Sequence, residues 1–240
     1  MGRDRGFVTP GNFPKNRKAM EDTPDWIVST IDNKIVSVSL DYRIFTDIMR
    51  SISWVSADSI SEIRCTKVPM EEIMRMARTL AWEDLRLFGS DFQKMVWKKL
   101  FGLTHREGAR ESLPDTSGRL SPEEGTGPVQ PRLMSYTDFA AMCGKSSGAR
   151  AVAHAVGQNP VAIIIPCHLI VPKETMDRLA EIERQAENSL FGTDGLILDP
   201  GLDFGEYRYG KEMKKKIILE TFRNSSTPYS QEKSCPDGTA

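Results

Sequence analysis

The sequence has little of what marks membrane, secreted or zinc-bound proteins. Its longest aliphatic run, Val161–Ile165, is far shorter than the ~20 apolar residues that cross a bilayer. The N-terminus has no apolar secretory core, and Gly6 stands where a myristoylation signal needs Ser or Thr. The four cysteines form no C-x-x-C pair, and there are three histidines. We therefore expect reduced thiols, no disulfide framework and no structural metal.

Strong charge of one sign is also lacking, because the 240 residues carry a net charge of −1. This excludes an overall attraction to nucleic acid or membrane, but the local charge is uneven. Residues 131–173 contain four basic and one acidic residue, whereas residues 174–206 contain two basic and nine acidic residues. Residues 207–223 are basic again, with six basic and two acidic residues. An acidic insertion thus interrupts a basic region.

The pattern along the chain predicts a mixture of strands and helices. Two β-branched runs joined at Asp32-Asn33-Lys34 predict a hairpin, and helical spacing of apolar residues predicts helices in Met70–Leu85 and after Ser90. Ser135-Tyr136-Thr137-Asp138 fits a capping box before a short helix. A Gly-containing turn then leads to an alanine-rich helix that ends near Gly157. Two short helices around such a turn are a helix-turn-helix candidate.

The composition of successive segments predicts the boundaries of the domains, the disordered ends and the insertions. We expect disordered ends over residues 1–24 and 224–240, an N-terminal α/β domain over residues 25–84 and a second domain over residues 85–223. Two solvated insertions are expected in the second domain, at about 104–130 and 174–203, and we expect the acidic one to project away from the rest. With 39% hydrophobic and 27% charged residues, the composition is that of a globular protein.

One apolar segment, "VAIIIPCHLIVP" from Val161 to Pro172, contains a thiol beside an imidazole. As a buried strand it would direct Cys167 and His168 to opposite faces, unless Pro166 breaks the ladder and lets them converge. A base near a thiol favours the nucleophilic thiolate. A small buried cysteine and a nucleophile both remain open on these residues alone. A cysteine hydrolase is disfavoured, because His105 and His154 have no accompanying signature.

The context of that segment resembles a known family. "SYTDFAAMCGKSSGARAVAHAVGQNPVAIIIPCHLIV" resembles the active-site region of the O6-alkylguanine-DNA alkyltransferases, with a helix-turn-helix, an Asn-Pro hinge and a Pro-Cys-His segment in the same order. "LRLFGSDFQKMVW", "GEYRYG" and "KEMKKKIIL" are similar to the family's domain entry, Gly-rich loop and last helix. The resemblance covers about Leu85–Phe222. It implies an α/β (α+β) protein, with a mixed N-terminal domain before a winged-helix-like alkyltransferase domain.

The resemblance implies the roles of the catalytic residues. Cys167 matches the cysteine that attacks the alkyl carbon on O6 of a flipped-out guanine, which leaves a thioether and permits one turnover without a cofactor. His168 matches the residue that withdraws the thiol proton through water. Tyr136 matches the tyrosine that assists the departing guanine, and Asn159 matches the asparagine that braces the active-site turn.

The resemblance also implies contacts with double-stranded DNA. Arg150 matches the arginine that replaces the flipped nucleotide in the stack, on an alanine-rich helix that could approach a minor groove closely. Without the family context, the alanines could equally reflect core packing and Arg150 a surface charge. Tyr207 and Ile170 match the wall of the base pocket. The other positions that match DNA contacts are Tyr136, Thr137, Lys145, Gln93 and Lys173.

The chain departs from the family pattern in two ways within the site. Leu169 stands where the family has an arginine that helps to hold the site. The family's histidine also leans on a glutamate of the last helix, and the alignment places Thr221 at that position. Glu220 comes one residue early, which is a rotation of about 100° on a helix. We nevertheless expect Glu220 to take the histidine-orienting role.

The function that these features predict is DNA repair by direct reversal, in which one alkyl group passes from O6-alkylguanine to Cys167. The alternative is an alkyltransferase-like protein that binds the lesion without transfer, which Leu169 and Thr221 favour and Cys167 disfavours. We expect a monomer without cofactor or metal. A nuclear location is expected, or a cytoplasmic one in a prokaryote.

Overall fold

The computed structural model describes residues 25–40, 63–105, 131–186 and 201–226. The predicted disordered N-terminus, most of the first insertion and the centre of the acidic insertion lie outside these ranges. The C-terminal helix ends at Ser226, three residues into the segment that was predicted to be a disordered tail. The described chain is a mixture of strands and helices, as the sequence predicts, with three consecutive strands first and helices with two short strands after them.

The N-terminal part is an antiparallel sheet of three strands, β1 (Trp26–Ile31), β2 (Lys34–Ser39) and β3 (Arg64–Val68). Their order across the sheet is β2-β1-β3. The predicted hairpin is confirmed, and the two residues between β1 and β2 have φ values of 51° and 60°. These residues are Asp32 and Asn33, and Asn and Asp tolerate the left-handed conformation that such tight turns need.

Two helices follow the sheet. Helix α1 (Met70–Thr79) buries Ile73 and Met74, and helix α2 (Asp91–Phe101) begins at a capping box. The Ser90 hydroxyl accepts a hydrogen bond from the Gln93 amide at 3.2 Å, and the Gln93 side chain accepts one from the Ser90 amide at 2.9 Å. This confirms the predicted N-cap at Ser90, because both donors would otherwise lack a partner at the helix start.

The next helix pair forms the predicted arrangement around a turn. Helix α3 (Tyr136–Met142) follows the short strand β4 (Met134–Ser135), and helix α4 (Ala149–Gly157) follows the turn. The predicted cap at Ser135 is confirmed in part, because its hydroxyl accepts from the Asp138 amide at 3.0 Å. The Asp138 carboxylate accepts from the Ser135 hydroxyl at 2.6 Å, and not from the Ser135 backbone amide as a full capping box requires. Gly144 has a φ of 68°, which a residue with a side chain rarely adopts, and this reverses the chain between the helices.

The segment that carries the thiol is not the buried strand that its apolar run predicts. Residues Cys167–Leu169 form one turn of 3-10 helix, and only Ile170–Val171 form a strand, β5, which pairs in parallel with β4. Periodicity does not distinguish a buried strand from an equally apolar turn. Pro166 lies directly before the 3-10 turn, in agreement with the predicted break at this residue.

Strand β2 contacts the loop that leads to the thiol. The Val38 amide donates to the Pro160 carbonyl at 3.0 Å, and the Ala162 amide donates to the Val38 carbonyl at 3.2 Å. One hydrophobic core also spans both parts of the chain, from Trp26 and Val38 through Val96 to Ile217. The N-terminal sheet therefore also supports the loop that leads to Cys167.

The helix of the acidic insertion does not project away. Helix α5 (Lys173–Ala186) buries Thr175 and Leu179, and Leu179 belongs to a cluster with Ile218 of helix α6 (Lys211–Ser226). The expectation of an outward-pointing helix is therefore wrong for its described part, because apolar residues recur at every third or fourth position and pack into this cluster. No helix in the described ranges is long and apolar enough to span a membrane.

Candidate active site

The side chain of Asn159 organises the loop around the thiol. Its carbonyl oxygen accepts a hydrogen bond from the Val161 amide at 3.0 Å. Its amide nitrogen lies 2.8 Å from the Ile165 carbonyl and 3.1 Å from the Cys167 sulfur. Asn159 is buried, so these bonds replace the strand partners that the loop lacks. Asn159 therefore lies where the sequence predicts a brace for the active-site turn.

Two tight turns in succession aim the thiol. A backbone hydrogen bond of 2.9 Å closes the first around Ile163, and one of 2.8 Å closes the second around Pro166. Ile163 is buried and β-branched yet has a φ of 70°, which costs on the order of 1–3 kcal/mol for such a residue. Pro166, with φ −80° and ψ 57°, has the geometry of an inverse γ-turn. The strain at Ile163 lies four residues before Cys167.

Burial and cations act on the thiol in opposite directions. Cys167 is 9% exposed, and burial raises the pKa of its thiol above the ordinary value. The Asn159 amide lowers that pKa, and so do the charges of Lys214 and Arg208 and the phenol of Tyr207. The resting group is therefore a protonated thiol, in surroundings that favour the thiolate once a base removes the proton.

His168 is fully buried and neutral at physiological pH. Burial, followed by the charge of Lys214, lowers its pKa to about 3. Its Nε2 atom lies 3.0 Å from the hydroxyl oxygen of Thr221 on α6. No hydrogen bond joins the described side chains of His168 and Cys167, so a proton transfer between them would need a mediating molecule or a small movement.

The Glu220 carboxylate does not face His168. It accepts a hydrogen bond from Arg223 at 3.1 Å, and its side chain is 32% exposed. The expectation that Glu220 orients His168 is therefore wrong. Lys214, Ile217, Ile218 and Thr221 share the inner face of α6, since residues three and four apart on a helix lie on one side. Glu220 is rotated away from that face, and Thr221 occupies the position beside the histidine.

Lys214 is a central residue that the sequence interpretation left without a role. Its ammonium donates to the Ile170 carbonyl at 2.8 Å and to the Phe204 carbonyl at 2.6 Å. Burial lowers its pKa to about 8, so it stays largely charged at neutral pH. The available signal was its helical spacing to Ile217 and Ile218, which places it on the apolar face of a lysine-rich helix.

Aromatic side chains surround the thiol. The Tyr136 ring lies 5.9 Å from the Lys214 nitrogen, and burial raises the pKa of its phenol. Burial and the nearby Cys167 also raise the pKa of Tyr207, which packs edge-to-face on Tyr209 with ring centres 5.5 Å apart. Both phenols near the thiol therefore remain protonated and can donate. Ile170, the other predicted pocket residue, is fully buried.

Some of the residues predicted to contact DNA have exposed side chains, and others already bond to neighbouring residues. Arg150, in the first turn of α4, is exposed, and so are Thr137 on α3 and Lys145 in the turn between the helices. The Gln93 side-chain carbonyl is already used in the capping box of α2. Lys173 is exposed but lies 3.8 Å from the Asp177 carboxylate.

Metal chemistry has no evident ligand set in the described ranges. No group of three His, Cys, Asp or Glu side chains there lies close enough together to hold a metal ion. The three described cysteines, Cys65, Cys143 and Cys167, are free thiols.

Comparison with known proteins identifies the family that this region resembles. Residues 130–187 match the family described as "6-O-methylguanine DNA methyltransferase, DNA binding domain". A relative in Acanthamoeba polyphaga mimivirus, named probable methylated-DNA–protein-cysteine methyltransferase, is 33% identical over 90 residues, or 38% of this chain and 44% of the relative. The methylated-DNA–protein-cysteine methyltransferase of Saccharomyces cerevisiae is 32% identical over 85 residues, or 35% of this chain and 32% of that protein.

A solved structure is also similar. The crystal structure of Mycobacterium tuberculosis O6-methylguanine methyltransferase aligns with a TM-score of 0.31 and 27% identity, over 60% of this chain and 55% of that chain. The matches span less than half the length of the two curated relatives. The family match and the named relatives confirm the resemblance that the sequence motifs predict.

Proposed function

We propose that this relative of the methylated-DNA–protein-cysteine methyltransferases repairs O6-alkylguanine in DNA by moving the alkyl group to Cys167. The observation that carries the proposal is the state of the thiol. It is buried, receives a hydrogen bond from Asn159 at 3.1 Å, and lies among cations that favour its anion. A purely structural cysteine has no need of these partners.

The chemistry needs one proton transfer and one displacement. His168, through water, takes the proton of the thiol, and the sulfur attacks the alkyl carbon. The bond between that carbon and O6 breaks, and its electron pair stays on the oxygen. The guanine leaves after the proton that His168 took from the thiol returns to it through water. The product is a thioether at Cys167. A thioether does not hydrolyse, so each molecule acts once.

Lys214 and Tyr136 have complementary parts in this scheme. The Lys214 ammonium stabilises the thiolate, because an opposite charge in a low-dielectric site acts strongly. Its bonds to the carbonyls of Ile170 and Phe204 hold it in place. Tyr136 keeps its proton and donates a hydrogen bond to the departing guanine, whose charge grows as the bond to the alkyl group breaks.

The DNA-binding part of the proposal assigns helices α3 and α4 to a helix-turn-helix within residues 85–223. The target base lies inside a stack, where a buried thiol cannot reach it, so the base must rotate out of the duplex. Arg150, which is exposed at the start of α4, then fills the position in the stack that the rotated base has left. Lys145 and Thr137 contact the phosphate backbone without reading sequence.

The decisive experiment measures the mass of the intact protein after incubation with duplex DNA that contains O6-methylguanine. We expect a gain of one methyl group in place of hydrogen, located by peptide mapping at Cys167. Cys167→Ala should gain nothing but still bind the duplex, since the thiol adds little to the electrostatic contacts. Cys143→Ala, which removes another buried thiol, should react normally. Methylation at a residue other than Cys167 would overturn the assignment.

A second candidate function is recognition of the lesion without transfer. The observation that favours it is the hydroxyl of Thr221, rather than a carboxylate, beside His168. A protein of this kind would bind O6-methylguanine DNA more tightly than undamaged DNA and show no gain in mass. The same experiment, with binding measured at several salt concentrations, separates the two candidates.

A further inference from the structure

The hydrogen bonds of Thr221 determine which nitrogen of His168 carries the proton. The Thr221 hydroxyl oxygen lies 2.8 Å from the Ile217 carbonyl oxygen, four residues earlier on α6. A carbonyl cannot donate, so this bond uses the single hydrogen of the hydroxyl. The same oxygen lies 3.0 Å from Nε2 of His168. With its hydrogen already engaged, the oxygen accepts, and Nε2 must be the donor.

The other ring nitrogen gives an independent argument. Nδ1 of His168 is buried and has no hydrogen-bond partner among the described residues. A buried N–H group without an acceptor costs about 1–3 kcal/mol, whereas a free lone pair is tolerated more often. Both arguments favour a proton on Nε2 and a lone pair on Nδ1.

We propose that Thr221 is a positioning residue that fixes His168 as the Nε2–H tautomer, so that Nδ1 is the atom that accepts the thiol proton. This inference rests on the proposed function for its catalytic meaning, although the tautomer itself does not. It assigns to a hydroxyl the task that a carboxylate would otherwise perform. The hydroxyl orients the ring but adds no negative charge, so the imidazolium is not stabilised by its partner.

The charged groups around His168 and Cys167 agree with a histidine whose partner carries no negative charge. Lys214 on α6 and Arg208 in the loop before it are cationic, while Tyr136 on α3 and Tyr207 are phenols that stay protonated. Helix α1 contributes the Met74 sulfur, 4.0 Å from the Thr221 oxygen. The thiolate is therefore balanced by fixed cations, and His168 acts as a transient carrier of the proton.

The first test is the tautomer in the wild-type protein. Ring-nitrogen NMR distinguishes a protonated from a bare imidazole nitrogen, and the chain has three histidines, so His168→Gln assigns the signals. We expect Nε2 to carry the proton and Nδ1 to be bare. A proton on Nδ1 in the folded wild-type protein overturns the inference, and this result needs no variant of Thr221 to fold.

The second test removes the hydroxyl while keeping the shape. Thr221→Val should give a mixture of tautomers and lower the single-turnover rate at least about tenfold, within the range of general-base contributions. Thr221→Ser keeps the hydroxyl. It should therefore show the single Nε2–H tautomer and a single-turnover rate within about threefold of wild type. Glu220→Gln, one residue earlier and paired with Arg223, is the control and should change neither.

The outcomes separate this inference from the proposed function. If wild-type protein transfers the alkyl group and Thr221→Val does so at the same rate with the same tautomer, the positioning role is wrong and the proposed function stands. If wild-type protein shows the Nε2–H tautomer but transfers nothing, the proposed function fails and the assignment of the tautomer stands.

Discussion

The amide nitrogen of Asn159 lies 3.1 Å from the sulfur of Cys167 and 2.8 Å from the carbonyl oxygen of Ile165. One side chain thus supports both the proposed nucleophile and the turn before it. An N–H donor stabilises a thiolate more than a thiol, so this contact opposes the effect of burial on the thiol pKa. The local structure and the pKa of the thiol therefore depend on the same side chain.

Asn159→Asp tests that contact, because it keeps the shape and replaces the donor by a carboxylate. We expect the pKa of Cys167 to rise by at least about one unit, which slows its reaction with iodoacetamide about tenfold at pH 8. The free energy of unfolding should fall by about 1–3 kcal/mol, because the Ile165 carbonyl loses its donor. Gln158→Glu, at the exposed neighbouring position, adds the same charge and should leave both quantities nearly unchanged. Equal effects in the two variants would attribute the change to net charge alone.

Arg150→Ala tests whether the arginine acts on the DNA stack. We expect repair of duplex O6-methylguanine to slow at least about tenfold, since extruding a base costs a few kcal/mol that the inserted side chain offsets. Reaction with free O6-benzylguanine, which needs no extrusion, should stay within about twofold of wild type. Arg178→Ala, an exposed arginine on α5, is the control for lost charge. Equal slowing on both substrates would show that Arg150 serves the fold.

Signals that act within a few residues were predictable from the sequence. The turn at Asp32-Asn33, the capping box at Ser90 and the N-cap at Ser135 are each formed by side chains and backbone groups of neighbouring residues. Their chemistry is therefore complete within a short stretch. The family motif around Cys167 was recognisable for a similar reason, because it is contiguous from Ser135 to Val171.

Features that depend on contacts between distant elements were not predictable in the same way. The loop before Cys167 was interpreted as a strand, because nothing in an apolar run shows that Asn159 satisfies its backbone groups. The partner of His168 is decided by the rotation of α6, where a shift of one position exchanges Glu220 for Thr221. Lys214 is buried only because β5 and the loop at Phe204 present carbonyls to it.

The low pKa of His168 predicts a stability that depends on pH. Its pKa falls from an ordinary 6.5 in the unfolded chain to about 3 in the fold, so the unfolded chain binds more protons in between. The contribution of His168 to the free energy of unfolding is full above pH ~6.5 and is lost as the pH falls toward 3. Between pH 7 and pH 5 the free energy of unfolding should drop by about 2 kcal/mol from this group.

Urea unfolding at pH 7 and pH 5 measures that drop. His154→Gln, which removes an exposed histidine of α4, should keep it. His168→Gln should abolish most of it, because glutamine does not titrate. A drop of the same size in His168→Gln as in wild type would mean that other groups cause the acid sensitivity.

Helix α5 of the acidic insertion combines two properties that can be tested separately. Its inner face carries Leu179, which packs with Ile218 of α6, while its outer face carries exposed acidic residues such as Glu174 and Asp177. Leu179→Ala should lower the free energy of unfolding by about 2–4 kcal/mol, since it leaves a cavity against α6. Replacement of Glu174–Asp203 by a short loop should destabilise the fold at least as much, because it removes both Leu179 and Leu202 from the cluster that contains Ile218.

The acidic face should leave DNA binding almost unchanged if it lies away from the DNA path. The double variant Glu174→Gln and Asp177→Asn should keep the free energy of unfolding within about 0.5 kcal/mol, as for most surface substitutions. The slope of log affinity against log salt concentration should change by less than about one ion, because that slope counts the cations in contact with phosphates. Asp177→Asn releases Lys173 from an ion pair at 3.8 Å, so a contact of this lysine with a phosphate could change the slope. A steeper slope that disappears in the triple variant with Lys173→Gln would place the start of α5 against the DNA. A large gain in affinity that persists without Lys173 would mean that the acidic face itself repels the duplex.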